Sequence, residues 1–297
     1  MRKIKQFAAL GLSVAMVSAM AVGVHAADNR FVNEKGEGNT RVEGSANIDV
    51  DGYLTADPIV DPSGSLIEPT GPSLSQSETS VLVPTQTTDS AGNPTSTLVP
   101  TATDGNGPVD SNGSHVSWGD ESTKNTTQLI LTAPTKLSFQ VAGRGTDANI
   151  MTESTGKNIT GTIVNQSCYV DEDLMVVPKT VAVKGTATTV GTPAFKLIAD
   201  TDTLPTDATA VKGVYLWLGN EKVDFATMTT QQEVGTLAKG EKAVAANGKW
   251  AVQGTKTPIS FMDKNGKASD VSTSFASGYD GSNLKTNYNV NMVYSVK

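Results

Sequence analysis

The rhythm of hydrophobic and polar positions takes three forms along the chain. Residues 7 to 22 are almost wholly apolar, residues 28 to about 115 scatter single apolar side chains among Pro, Ser, Thr, Gly and Asp, and beyond Ser117 short apolar runs recur between turn residues. The last pattern predicts strands at 128–132, 136–141, 159–165, 174–177, 180–184, 194–198, 211–218, 250–253, 258–262 and 287–296, each rich in Val, Ile, Thr or aromatics. The final run is the clearest, because Tyr288, Val290, Met292, Tyr294 and Val296 alternate with Asn289, Asn291, Val293 and Ser295, which turns one face to a core and the other to solvent. Asn247-Gly248 and Asp263-Lys264-Asn265-Gly266-Lys267 supply turn chemistry. Helical periodicity is weak, with 226–234 and 237–246 as the only stretches able to form a turn or two. The fold class expected is all-β, an antiparallel β-sandwich over 116–297 preceded by a long disordered spacer, with an elaborated barrel as the competing architecture.

The first apolar run follows Arg2, Lys3 and Lys5 and ends in Val24-His25-Ala26 before Ala27. That is the layout of a secretory signal peptide spanning 1–26, which predicts a secreted, extracellular or surface-associated protein. No later stretch reaches the ~18 consecutive apolar residues that span a bilayer, so no integral membrane segment is expected after cleavage. Residues 287–297 carry no hydrophobic tail, and covalent attachment to a cell wall is not expected.

Charge sharpens the division. No Lys or Arg lies between Arg41 and Lys124, against twelve acidic residues from Glu43 to Glu121, whereas Lys124 to Lys297 holds 17 basic and 15 acidic residues. Eight of the thirteen prolines fall between Pro58 and Pro108, and Phe31 and Tyr53 are the only aromatics from 28 to 115. Such a stretch offers too little apolar surface to offset about 1–2 kcal/mol of backbone entropy per residue, so 27–115 is expected to be a disordered acidic spacer. Within it Leu82-Val83-Pro84-Thr85 returns as Leu98-Val99-Pro100-Thr101, read as low-complexity drift. The acidity excludes a nucleic-acid surface.

Chemistry-bearing residues are scarce. Cys168 is the only cysteine of the 297 residues, so no internal disulfide forms; it is expected to be a small buried residue, with a reactive or intermolecular thiol as the alternative. Apart from the leader's His25, His115 is the only histidine, and no Gly-x-Ser-x-Gly elbow exists, which argues against a triad or a zinc site. Asn47-Ile48-Asp49-Val50-Asp51-Gly52 resembles the opening of a calcium loop but has Pro58 where the bidentate Glu belongs, so a solvated acidic linker competes. Asp171-Glu172-Asp173 and the set Asp200, Asp202 and Asp207 lie in loops; calcium held by Asp171, Asp173, Asp200 and Asp202 requires those loops to converge, and charged loops guarding strand edges are the alternative. Tyr215 and Trp217 alternate with Val214, Leu216 and Leu218: with the aliphatic set inward the two rings form a stacking platform, whereas burial on both faces makes them core. Trp250 and Trp118 are open to the same two readings.

The stretch 129–141, with Leu137-Ser138-Phe139 after Pro134, then Ile163-Val164-Asn165-Gln166-Ser167, Val176-Val177 and Val181-Ala182-Val183, resembles secreted surface proteins of Gram-positive bacteria. It is loosely similar to the WxL class of cell-wall-binding domains, with Val293-Tyr294-Ser295-Val296 at the closing strand but Leu216-Trp217-Leu218-Gly219 in place of Trp-x-Leu. The resemblance implies a surface-exposed, non-catalytic role in adhesion and assigns no functional residue. The leading expectation is a β-sandwich that binds a cell-wall polymer, a glycan or a surface protein. A self-assembling layer or fibre subunit pairing through the final strand is the alternative, and an extracellular glycoside hydrolase built on two carboxylates a more distant one.

Overall fold

The computed structural model describes residues 29–32, 43–56, 59–60, 66–67, 79–88, 94–101, 126–150, 160–244, 250–267, 269–280 and 282–297. The predicted signal peptide, His115, Trp118 and Asn247-Gly248 lie outside them. The described chain is all-β, with no α-helix and a single 3-10 turn at Phe225–Thr227.

Two sheets carry the fold. One runs in the order β15 (Lys196–Ile198), β16 (Ala210–Lys212), β23 (Val271–Ser274), β10 (Gly145–Ile150), β9 (Lys136–Ala142), β2 (Glu43–Thr55), β24 (Leu284–Val296), β14 (Val181–Val190) and β19 (Gln232–Leu237). The other runs β1 (Asn29–Val32), β6 (Pro94–Thr101), β5 (Thr79–Thr88), β8 (Leu131–Pro134), β11 (Gly161–Asn165), β22 (Thr255–Met262), β17 (Tyr215–Leu218) and β18 (Glu221–Asp224). Outside them lie β13 (Val176–Pro178), β12 (Cys168–Val170) and β7 (Thr126–Gln128) as a small sheet, the hairpin β20 (Glu241–Val244) with β21 (Trp250–Gln253), and the pair β3 (Ile59–Val60) with β4 (Leu66–Ile67).

The expected antiparallel arrangement is corrected to a mixed one, curled into a half-barrel. β2 runs parallel to β9, from Asp49 opposite Lys136 to Thr55 opposite Ala142, and β15 runs parallel to β16. A parallel pair needs a long crossover, and here the chain between β2 and β9 visits the other sheet as β5 and β6. Those two strands pair with each other, Val83 opposite Val99, so the repeated Leu-Val-Pro-Thr segments are the two arms of a hairpin.

The expected spacer is also corrected at Glu43–Thr55. This segment is an internal strand, bonded to β24 from Glu43 opposite Ser295 to Leu54 opposite Leu284, with Ile48, Val50 and Leu54 no more than 1 % exposed. Its charges misled the composition argument because they alternate: Asn47, Asp49 and Asp51 occupy one face while the aliphatic residues fill the core on the other. β24 obeys its predicted alternation, with Tyr288, Val290, Met292 and Tyr294 buried. It is flanked by β2 and β14 along most of its length, so the final strand is no free edge for pairing between copies.

The core joins both sheets: Ile48, Leu137, Phe139 and Val290 from one meet Ile163, Leu216, Ile259 and Phe261 from the other. Phe139, Phe225 and Phe261 form an aromatic centre with ring centroids 4.8–6.2 Å apart. A smaller cluster of Ile130, Cys168, Val170, Val176 and Val252 fills the region under β12 and β21. The predicted helical stretches are instead the 3-10 turn and strands β19 and β20. The single strand predicted at 211–218 is two strands in two different sheets, because Gly213 (φ 92°) turns the chain between β16 and β17. That corner sets up the candidate site.

Candidate binding face around Tyr215 and Trp217

Downstream of the Gly213 corner, β17 is a short alternating strand. Leu216 and Leu218 are 1 % and 2 % exposed in the core, while Tyr215 and Trp217 point outward and are half-buried. Of the two readings open from sequence, the aliphatic set therefore faces inward and the rings lie on the outer face. The two-residue turn Gly219-Asn220, with Gly219 at φ 61°, returns the chain as β18 at the sheet edge. Register then fixes the neighbours: Tyr215 lies between Asp224 and Met262, and Trp217 between Lys222 and Ser260.

Both rings are pinned by their polar tips. The Trp217 indole N–H donates to the Asp263 carbonyl at 2.8 Å, and the six-membered ring lies beside Gly266, where a Cβ would stand 3.4 Å away. Asp263 is fully buried, and its Oδ1 accepts from the backbone N–H groups of Asn265 and Lys267 at 2.7 and 2.8 Å. The 263–267 turn expected from sequence is thus present, with Gly266 at φ 71°, and its chemistry holds the indole in place. The Tyr215 hydroxyl donates to Asp200 Oδ2 at 3.0 Å, and Asp200 N–H donates to Asp224 Oδ2 at 2.7 Å.

Charges divide over this face. The Lys222 ammonium stands 5.0 Å from the Trp217 ring centre and 5.7 Å from that of Tyr215, and donates to the Lys264 carbonyl. Such placement over two ring faces is a cation–π arrangement. At the Tyr215 end, burial together with the nearby Asp200 and Asp224 carboxylates pushes the phenol up to about 12. Asp224 is likewise raised, by burial and by repulsion from Asp200 and Asp202, against the two backbone N–H groups that hold it. The Lys212 ammonium donates to the Asp202 carbonyl at 2.6 Å.

The other sequence candidates fall elsewhere. Trp250 belongs to the β20–β21 hairpin, outside the sheet that carries Tyr215 and Trp217, and its side chain is not among those described. Asp171 stabilises its own turn, its Oδ1 accepting from Asp173 and Met175 N–H at 3.0 and 2.8 Å, and Asp207 accepts from Ser277 N–H at 3.4 Å. Among the described residues no three Asp, Glu, His or Cys side chains are placed to hold a metal ion, so Asp171, Asp173, Asp200 and Asp202 do not converge on a calcium. The 47–52 segment is neither a calcium loop nor a linker. Asn47 and Asp49 accept from Asn291 and Asn289 across the strands at 2.8 and 3.2 Å, and Asp51 pairs with Lys136 at 2.8 Å and Lys285 at 3.1 Å.

Sequence reasoning missed Lys222, Asp224 and Asp263. The signal for the first two was Gly219-Asn220 between alternating residues, a hairpin mark that places Lys222 and Asp224 opposite the aromatics. A second aromatic group, Phe275 stacked on Tyr279 at 4.7 Å with the Arg144 guanidinium 5.1 Å from the Phe275 ring centre, also escaped notice, because Arg144 comes from a distant turn. Comparison with protein-family models, with curated proteins and with solved structures gave no match, so the site is read from its own geometry.

Proposed function

We propose that this is a secreted, non-catalytic surface protein whose β domain binds a glycan of the cell envelope through the outer face of β17 and β18. One observation carries the reading: two aromatic side chains alternate outward on a strand whose aliphatic residues fill the core, and each ring is held by a hydrogen bond at its polar end. Rigid, half-exposed rings flanked by carboxylates and an ammonium group suit a sugar, which offers an apolar C–H face to stack and hydroxyls to bond. The N-terminal leader supports a location where such a polymer is met.

The test is co-sedimentation of the mature chain with purified Gram-positive cell walls. Saturable binding is expected, falling about tenfold or more for Trp217→Ala while the melting temperature stays nearly unchanged. A chelator is expected to leave binding intact. Binding unaffected by Trp217→Ala overturns this site, and absence of sedimentation by the unaltered chain overturns wall binding itself.

A further inference from the structure

We infer that this face selects glycans bearing a free primary ammonium group, and that Lys222 is the chain's own occupant of the position such a group takes. The inference rests on the glycan-binding reading above and names its ligand class. The platform already holds an ammonium: that of Lys222, 5.0 Å from one ring centre and 5.7 Å from the other. Aromatic faces attract cations through their quadrupole, most strongly where one cation meets two rings. The hold on Lys222 is light. It is exposed on the edge strand and is anchored by a bond to one backbone carbonyl, so it is free to swing out when a competing cation arrives.

The surroundings favour replacement by another cation over an anion. Asp200 and Asp224 crowd the Tyr215 end, where Asp224 and Tyr215 share register positions and Asp200 bonds to both, and Asp202 adds its repulsion to that on Asp224. An incoming ammonium relieves the mutual repulsion of these carboxylates, whereas an anionic sugar adds to it. A bare metal ion is the poorer candidate, since no three carboxylates here are placed to coordinate one. A ligand whose ammonium takes the Lys222 position over the two rings and whose sugar ring offers an apolar face to them, such as a polymer of de-N-acetylated amino sugars, brings a positive charge to a face with carboxylates at one end.

The experiment is calorimetric titration of the mature chain with a glucosamine oligomer lacking all N-acetyl groups and with the fully N-acetylated oligomer of equal length. The amine form is expected to bind about tenfold more tightly. Lys222→Ala, which removes the internal competitor, is expected to tighten binding of the amine form severalfold. Asp202→Asn, at an exposed position that leaves the capping bonds of Asp224 intact, is expected to weaken it severalfold at unchanged melting temperature. Equal or tighter binding of the N-acetylated oligomer overturns the inference, as does weaker binding by Lys222→Ala, which makes Lys222 a direct ligand contact. Failure of the amine form to bind overturns it too. In each case Trp217-dependent sedimentation with walls still decides the broader reading separately.

Discussion

At the scale of single residues, polar groups taken out of water are the ones whose partners matter most. Asn165 is fully buried, and its Nδ2 donates to the carbonyls of Lys179 and Ala238, both at 2.9 Å, while its Oδ1 accepts from Ser167 N–H at 3.0 Å. It ties together three segments distant in sequence. Asn165→Ala strands those groups in a dry setting and is expected to cost about 2–4 kcal/mol in denaturant unfolding. Asp51 makes a prediction in pH. Burial pushes its carboxyl up, but hydrogen bonds and charge from Lys136 and Lys285 outweigh that and hold it below the ordinary value. The folded state therefore binds fewer protons there than the unfolded chain. Its contribution is present at neutral pH and is lost as pH falls below roughly 4. The stability difference between the unaltered chain and Asp51→Asn should shrink over that acid range, read from melting temperatures. Cys168 is the small buried residue that sequence suggested, its thiol pushed up to about 12 by burial. At pH 8 it should resist thiol reagents until the protein is unfolded.

At the scale of elements, the Gly213 corner and β17 together make the candidate site. Gly213 sits at φ 92°, and a Cβ there would approach the Asp270 carbonyl to 3.1 Å. Gly213→Ala is expected to destabilise by more than about 1 kcal/mol, through backbone strain rather than lost contacts. Neighbouring positions in β17 should part company in mutagenesis. Leu216 lines the tight apolar seam with Ile48, Val50, Leu137, Ile259, Val290 and Met292, so Leu216→Ala should cost about 2–5 kcal/mol. Trp217→Ala should affect ligand binding far more than stability. Thermal unfolding of the pair checks this directly: equal losses would make Trp217 a core residue after all.

At the scale of the whole molecule, the early strand β2 stitches the fold together, since it separates the last strand from β9 and bonds to both. A fragment beginning at residue 116 lacks it, leaving β24 and β9 with unpaired backbone and an uncovered core. Circular dichroism and amide exchange should find that fragment without cooperative structure, and a peptide of residues 43–56 added in trans should restore part of it. β18 and β19, edge strands of the two sheets, lie against each other, with the exposed Glu221 covering Gly235. By itself the sequence determined the β class, the inward face of β24, the burial of Cys168, the 263–267 turn and the aliphatic-aromatic alternation of β17. Each follows from local periodicity, turn chemistry or the cost of exposing one side chain. Only the tertiary structure decided that Glu43–Thr55 is core, that 211–218 divides between two sheets, that Asp51 meets two lysines, and that Lys222 stands over Tyr215 and Trp217. Composition averages over the two faces of a strand, so an alternating acidic strand reads as a linker until a neighbouring strand covers its apolar side. Strand order and register arise from contacts between residues far apart in the chain, and the binding face exists only once those contacts have formed.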